Sequence, residues 1–338
     1  MKKIFSFKLL MIYSIILSIS ACFSLYYGSV QISFLEIRNL SFLDNNIFTK
    51  IMALRVSGFF QAAMVGAILA LCGYVLQKIL KNPLADPFIL GISSGGICFA
   101  SVFILLNSSA LFSSMHLFYF FPLQSAFALI GCLTSFFILL FVRKKIKSSH
   151  DEYVFPVIGI IINSFFTSIL MMVFSIAKPE QLSEIHNFLI GTLQPVSFYQ
   201  ILVFFILSVF PLIIIFRNSK YFDHMLFSDD FGKSMGINPI KIRNKTIFMI
   251  CILISLVVSS AGIIAFVGLI IPHIVRKIHR FSSLFECVIC MFLGAIILVN
   301  ADTLSRTLFS PAQLSVGIFT AILGAPALSF ILFKRNLV

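Results

Sequence analysis

The sequence predicts an all-α, polytopic membrane protein with about ten transmembrane helices, one of them a short half-helix. Three observations carry that prediction. Of the 338 residues, 59% are apolar and only 11% are charged, against about 25% charged in a soluble domain. Mean hydropathy is +1.07, and the apolar residues come in runs near the ~20 residues that cross a bilayer. The charges fall between those runs. So few charges cannot cover a globule, which excludes a soluble enzyme, a disordered tail and a disulfide-stapled secreted module.

In chain order the runs are 7–27, 54–76, 88–106, 118–142, 153–177, 198–216, 246–261, 284–301 and 313–333. The first follows Lys2, Lys3 and Lys8. Its Ile19-Ser20-Ala21-Cys22 has the look of a lipoprotein cleavage site, but losing this span would break the even count, and an uncleaved helix is expected. A shorter piece, 264–274, lies between Gly262 and Arg276-Lys277. At about 1.5 Å per residue it cannot cross alone as a straight helix, and it is read as a half-helix buried in protein.

Charge fixes the expected orientation. With ten segments and both termini cytoplasmic, 20 of the 25 basic residues face the cytoplasm, and only Arg38, Lys50, Arg55, Lys178 and Arg306 lie outside. That is the positive-inside asymmetry. The net charge of +13 therefore records topology. It is scattered over six segments rather than gathered on one nucleic-acid-binding face, and no nucleic-acid partner is expected.

The seven cysteines sit in or beside apolar runs, and Cys287-x-x-Cys290 has no second pair or nearby histidine to complete a metal site. Neither metal nor cofactor is expected, and no catalytic residue is found. Small residues recur at spacing four in the second span (Gly58, Ala62, Gly66, Ala70) and in the last (Gly317, Ala321, Ala325). Such ridges let backbones approach closely, within one chain or between subunits. All twelve acids lie in loops or at span ends. No span interior holds a carboxylate for proton relay, which argues against an ion-coupled secondary transporter and points to an external energy source.

The longest cytoplasmic loop, 217–245, contains Phe227-Ser228-Asp229-Asp230-Phe231-Gly232-Lys233-Ser234-Met235-Gly236. Gly232-Lys233-Ser234 imitates the end of a phosphate-binding loop, but position 227 is Phe where that motif needs glycine. A short helix fits better. Ser228 caps it, Asp229 and Asp230 complement its dipole, and Gly236 ends it, with Phe227, Phe231 and Met235 on one ridge. Two turns are marginal alone in water, so the helix must dock on its own membrane domain or in a separate cytoplasmic ATPase.

Three blocks then carry a family resemblance. Asn82-Pro83-Leu84-Ala85-Asp86-Pro87 with Leu90-Gly91, the run Gly262 to Arg276 including Gly268 and Pro272-His273, and Ala301-Asp302 through Arg306 occur in order. Together they resemble the FecCD permeases of iron–siderophore, haem and cobalamin ABC importers. The resemblance implies a single membrane domain over 1–338 and a homodimer with the pathway along its two-fold axis. It also implies two cytoplasmic ATP-binding cassette subunits and an extracytoplasmic substrate-binding protein, in a bacterial cytoplasmic membrane. Ferric siderophore is the expected cargo, with haem or cobalamin as alternatives. The 228–236 helix becomes the ATPase coupling element, and Arg55 and Arg306 become docking points for the binding protein. The chain departs from the family pattern at Ser57, Gly58, Phe188, Gln313 and Ser315. His273 is read as a structural hydrogen-bonder.

Overall fold

The structure, a computed structural model, describes residues 2–28, 47–107, 123–146, 151–193, 196–225, 238–278, 282–310 and 313–335. Among these residues there are eleven α-helices and no strand. In order they are α1 (Lys2–Tyr26), α2 (Ile47–Ile79), α3 (Ile92–Asn107), α4 (Leu123–Lys145), α5 (Asp151–Ile176), α6 (Pro179–Ile190), α7 (Phe198–Met225), α8 (Pro239–Ala261), α9 (Val267–Ile278), α10 (Ser283–Thr307) and α11 (Val316–Arg335). Seven of them, α1, α2, α4, α5, α7, α8 and α10, are long and apolar enough to cross a membrane. With the shorter apolar α3 and α11 and the half-helix α9, they make the ten predicted segments.

Local chemistry sets the boundaries. Asn238 caps α8 by accepting from the Lys241 amide at 3.1 Å, with Pro239 at the first position. The predicted span 88–106 is broken: Pro87–Leu90 forms a 3-10 turn, Gly91 turns left-handed at φ 72°, and α3 then begins. Asp86 starts that turn by accepting from the Phe88 amide at 2.9 Å. α9 has 12 residues, about 18 Å of helix, which is short of the ~30 Å hydrocarbon core. α7 and α8 reach into the predicted loop 217–245, α7 running to Met225 and α8 starting at Pro239.

One helix was missed. α6 is amphipathic, with Ile185 buried against Ile97, Ile104, Leu170 and Val173 while Glu180, Glu184 and His186 face outward. A search for 20-residue apolar runs passes over it. Pro179 at its start, Gly191 at its end, and Leu182, Ile185 and Leu189 at helical spacing were the available signal.

α2 and α8 are central, with 72% of each span buried against 17% for α1. The antiparallel pair α2–α10 crosses closely. A Cβ on Gly66 would lie 2.3 Å from the Gly294 carbonyl oxygen, and one on Gly294 would lie 2.2 Å from that of Gly66 and 2.6 Å from the Ala70 Cβ. Of the predicted small ridge, Gly66 and Ala70 therefore pack here, whereas a side chain on Gly58 would meet only open space. In α11 Gly317 packs against the Ile190 carbonyl, but Ala325 is exposed. The apolar flanks of α5 (Ile160, Phe165, Met172), α7 (Phe205, Phe210, Ile213) and α11 (Ile322, Leu323) are also exposed, as membrane-facing surfaces require.

Candidate functional site

Because α2 and α10 run antiparallel, they share two polar ends. At the first, Arg55 is only 4% exposed and donates from Nη1 to the Leu25 and Tyr26 carbonyls at 2.7 and 2.9 Å. These are the orphan carbonyls that every helix C-terminus leaves over, so Arg55 fastens the end of α1 to α2. Arg306 is more open. It pairs with Asp302 at 2.7 Å and donates to Ser24 Oγ at 3.1 Å. Its guanidinium lines a polar cleft of about 200 Å³ with Asn187, Thr192, Asp302, Gln313 and Ser315. Two of the positions where the sequence departs from the family pattern, Gln313 and Ser315, thus share a cleft with Arg306.

A knot of backbone closes that cleft below. Gly191 and Gly262 are left-handed at φ 77° and 69°, and a Cβ on either would come within 2.1 Å of a carbonyl oxygen, of Ile263 and Phe188 respectively. The Gly317 amide donates to the Gly191 carbonyl at 3.1 Å. Only glycine combines those angles with that closeness, which gives Gly191 and Gly262 a structural role.

The second end was not singled out from sequence. Lys78 is buried, with its ammonium 3.3 Å from Asp223 and 3.6 Å from Glu286. Tyr74 donates its hydroxyl to Glu286 at 2.6 Å, and Ser283 donates both amide and hydroxyl to Asp223. Arg276 donates to Gln77, whose amide nitrogen reaches the Leu269 carbonyl at 3.3 Å. Four helix ends, from α2, α7, α9 and α10, are held by two cations and two carboxylates. A buried charge is tolerable only when paired and hydrogen-bonded in this way. The available signal was a basic residue closing one span and acids bounding two others.

The remaining predicted residues divide. Asn82 and Asp86 organise their own loop, with Asn82 Oδ1 accepting from the Leu84 amide at 2.9 Å. Pro83 is half-buried in that loop. Burial pushes the Asp86 carboxyl up to about 6 against the opposing Phe88 amide bond. Pro87 abuts Gly268, which in turn lies against Gly73, so the first two sequence blocks meet on α2. Pro272 lies inside α9. His273 Nδ1 donates to the Leu269 carbonyl at 3.0 Å, one turn back. Cys287 and Cys290 are buried, unbridged side chains. Among the described residues no cluster of His, Cys, Asp or Glu could hold a metal. The coupling residues Phe227, Ser228, Asp229, Asp230, Phe231, Gly232, Met235 and Gly236 lie outside the described residues.

Ten apolar helical segments among the described residues, with polar clusters at both ends, define an integral membrane protein. The chain belongs to the FecCD transport family, whose model matches residues 16–334. It is 30% identical over 325 residues to the iron-uptake system permease FeuC of Bacillus subtilis, covering 93% of this chain and 94% of that one. It is 28% identical over 332 residues to the vitamin B12 import permease BtuC of Vibrio vulnificus, covering 97% and 94%. A solved inward-facing ABC transporter, assigned to the metal-chelate type, superposes with a TM-score of 0.82 at 25% identity, covering 97% of this chain and 99% of that one.

Proposed function

We propose that this chain is the permease subunit of a binding-protein-dependent ABC importer in a bacterial cytoplasmic membrane. It carries an iron chelate inward, a ferric siderophore in the first instance, and both its termini are cytoplasmic. A second copy completes the pathway, two separate ATPase subunits hydrolyse ATP, and an extracytoplasmic binding protein delivers the cargo. Family membership and the iron-uptake relative support that reading. The observation that carries the mechanism is the Lys78 cluster, because the 226–237 segment begins three residues beyond Asp223.

In this mechanism the cytoplasmic subunits close on ATP and push the segment that contains 228–236. Asp223 passes the displacement to Lys78 of α2 and Ser283 of α10. The close crossing at Gly66 and Gly294 makes those two helices move as one body, since a packed interface switches rather than stretches. At the far end the motion reaches Arg306, where the binding protein docks, with Arg55 holding α1 in place. The pathway, lined with apolar and small hydroxyl side chains, offers cargo few strong contacts.

The experiment is reconstitution in liposomes with the ATPase subunits and the binding protein. Uptake of ferric siderophore that stops without ATP and survives collapse of the ion gradients is the expected result. Uptake that follows the gradient and ignores ATPase loss would refute the ABC reading. Uptake of haem or cobalamin in place of siderophore would move the cargo and leave the mechanism standing.

A further inference from the structure

Two outer helices differ in what they expose. On α7, from Phe198 to Ile213, the strongly exposed large side chains are apolar or aromatic, Leu202, Phe205 and Phe210 among them. α5 also exposes Asn163, Ser164, Ser168 and Ser175. Residues 163–168 straddle the middle of its 23-residue span, Val154–Ile176. The serines are satisfied within the helix. Ser164 donates to the Ile160 carbonyl at 3.0 Å, Ser168 to that of Ser164 at 2.9 Å and Ser175 to that of Met171 at 3.0 Å. Asn163 is not: among the described residues its carboxamide has no hydrogen-bond partner. Lipid offers it none.

The positions of these groups say what does. At about 100° per residue, Asn163, Thr167, Ser164 and Ser168 share one sector of α5, while Phe165 and Met172 lie outside it, toward lipid. Within the sector Ser164 and Met171 form one line of a heptad and Thr167 and Phe174 the other, with Asn163 and Ser168 on opposite flanks. That is the seam of a helix packed on a parallel neighbour, whose opposite flanks meet across it. Ser168 spends its proton on its own helix, so its oxygen remains an acceptor.

We infer that this face seats the α5 of a second copy of the chain, with Asn163 Nδ2 of each copy donating to Ser168 Oγ of the other. Three facts select that occupant. Both copies insert in the same orientation, so a two-fold axis sets like helices parallel. Residues 163–175 carry no charge, so identical faces do not repel. Donor and acceptor flank one seam, so the face complements itself. The pairing rests on the second copy proposed above, and it places the two α5 helices where they must part before cargo passes.

Six of the seven cysteines are buried and Cys22 is exposed, so Cys22→Ser provides a background for cross-linking. The full-length chain, carrying Asn163→Cys with Ser168→Cys, is oxidised in membrane vesicles with copper phenanthroline. Those positions are about 7.5 Å apart along one helix and on opposite flanks, so a disulfide between them joins two copies. A covalent dimer is expected, and none from Phe165→Cys with Met172→Cys. Asn163→Leu should raise the dimer dissociation constant about tenfold, since two interhelical hydrogen bonds are lost; an unchanged constant would overturn the pairing. Native mass of the unsubstituted protein separates the failures. A dimer that does not cross-link, or that cross-links equally through the lipid-facing positions, overturns the pairing and leaves the subunit reading standing. A monomer overturns both. Labelling of Asn163→Cys by a water-soluble maleimide with no cross-link puts water on this face and also overturns the pairing.

Discussion

The two ends of the α2–α10 pair use the same residue types for opposite purposes. At the Arg306 end, Arg306 pairs with Asp302 and donates to Ser24, while Arg55 donates to two main-chain carbonyls of α1. Among the described residues of that end the two guanidiniums outnumber the carboxylate, and Arg306 lines a cleft. At the Lys78 end, two carboxylates and two cations balance in a network whose centre, Lys78 with Glu286, is buried while Asp223 reaches the surface. An uncompensated, accessible charge steers an acidic partner. A balanced, buried network fixes geometry, because losing any member strands another in low dielectric. The first arrangement suits meeting a protein and the second suits transmitting a movement.

The sharpest way to break that contrast is Lys78→Met. It leaves Glu286 buried without its cation, and removing one partner of a buried pair costs about 3–5 kcal/mol. A large fall in detergent melting temperature and loss of uptake are expected. Lys78→Met with Glu286→Gln should recover most of the stability but not the coupling. If uptake recovered fully as well, the network would be structural only. Next in size is Gly294→Ala, whose new methyl would sit 2.2 Å from the Gly66 carbonyl oxygen. Overpacking of this kind costs about 1–3 kcal/mol, which a melt would detect.

The arginines should separate by readout. Arg306→Gln should lower ATPase stimulation by the binding protein roughly tenfold, equivalent to about 1.4 kcal/mol of docking energy, with basal ATPase unchanged. Arg55→Gln should instead cost about 1 kcal/mol of stability, because two part-buried carbonyls at the end of α1 lose their donor. Equal behaviour of the two variants would erase the distinction drawn between them.

A pH-dependent effect is expected at Asp86, which belongs to neither end. Its folded-state value is raised to about 6 by burial, so the fold favours the protonated form. The corresponding stability is fully present below the ordinary aspartate value near pH ~4 and is lost as pH rises through ~6. Asp86→Asn should flatten that slope, by at most about 3 kcal/mol, while keeping the acceptor for Phe88. Melting temperatures measured from pH 4 to 7 would reveal it.

Hydropathy and loop charge were enough to place nine long segments and the half-helix, because membrane insertion depends on sums over neighbouring residues. The sequence also picked out Arg306 and Asp302, one helical turn apart. It missed α6, whose apolar face is one-sided and too short for a span. It also set Arg55 among the outward charges, since nothing local announces that the Leu25 and Tyr26 carbonyls, about 30 positions earlier, will claim it.

The class, the ten apolar segments and the family blocks were therefore determined by the sequence alone. Only the tertiary structure decided which charges are partners. Lys78 meets Asp223 across 145 residues and Tyr74 meets Glu286 across 212, as do Gln61 and Ser260 across 199. Hydrophobic burial sums along the chain and leaves a periodic trace, whereas an ion pair depends on a few ångströms between distant helices.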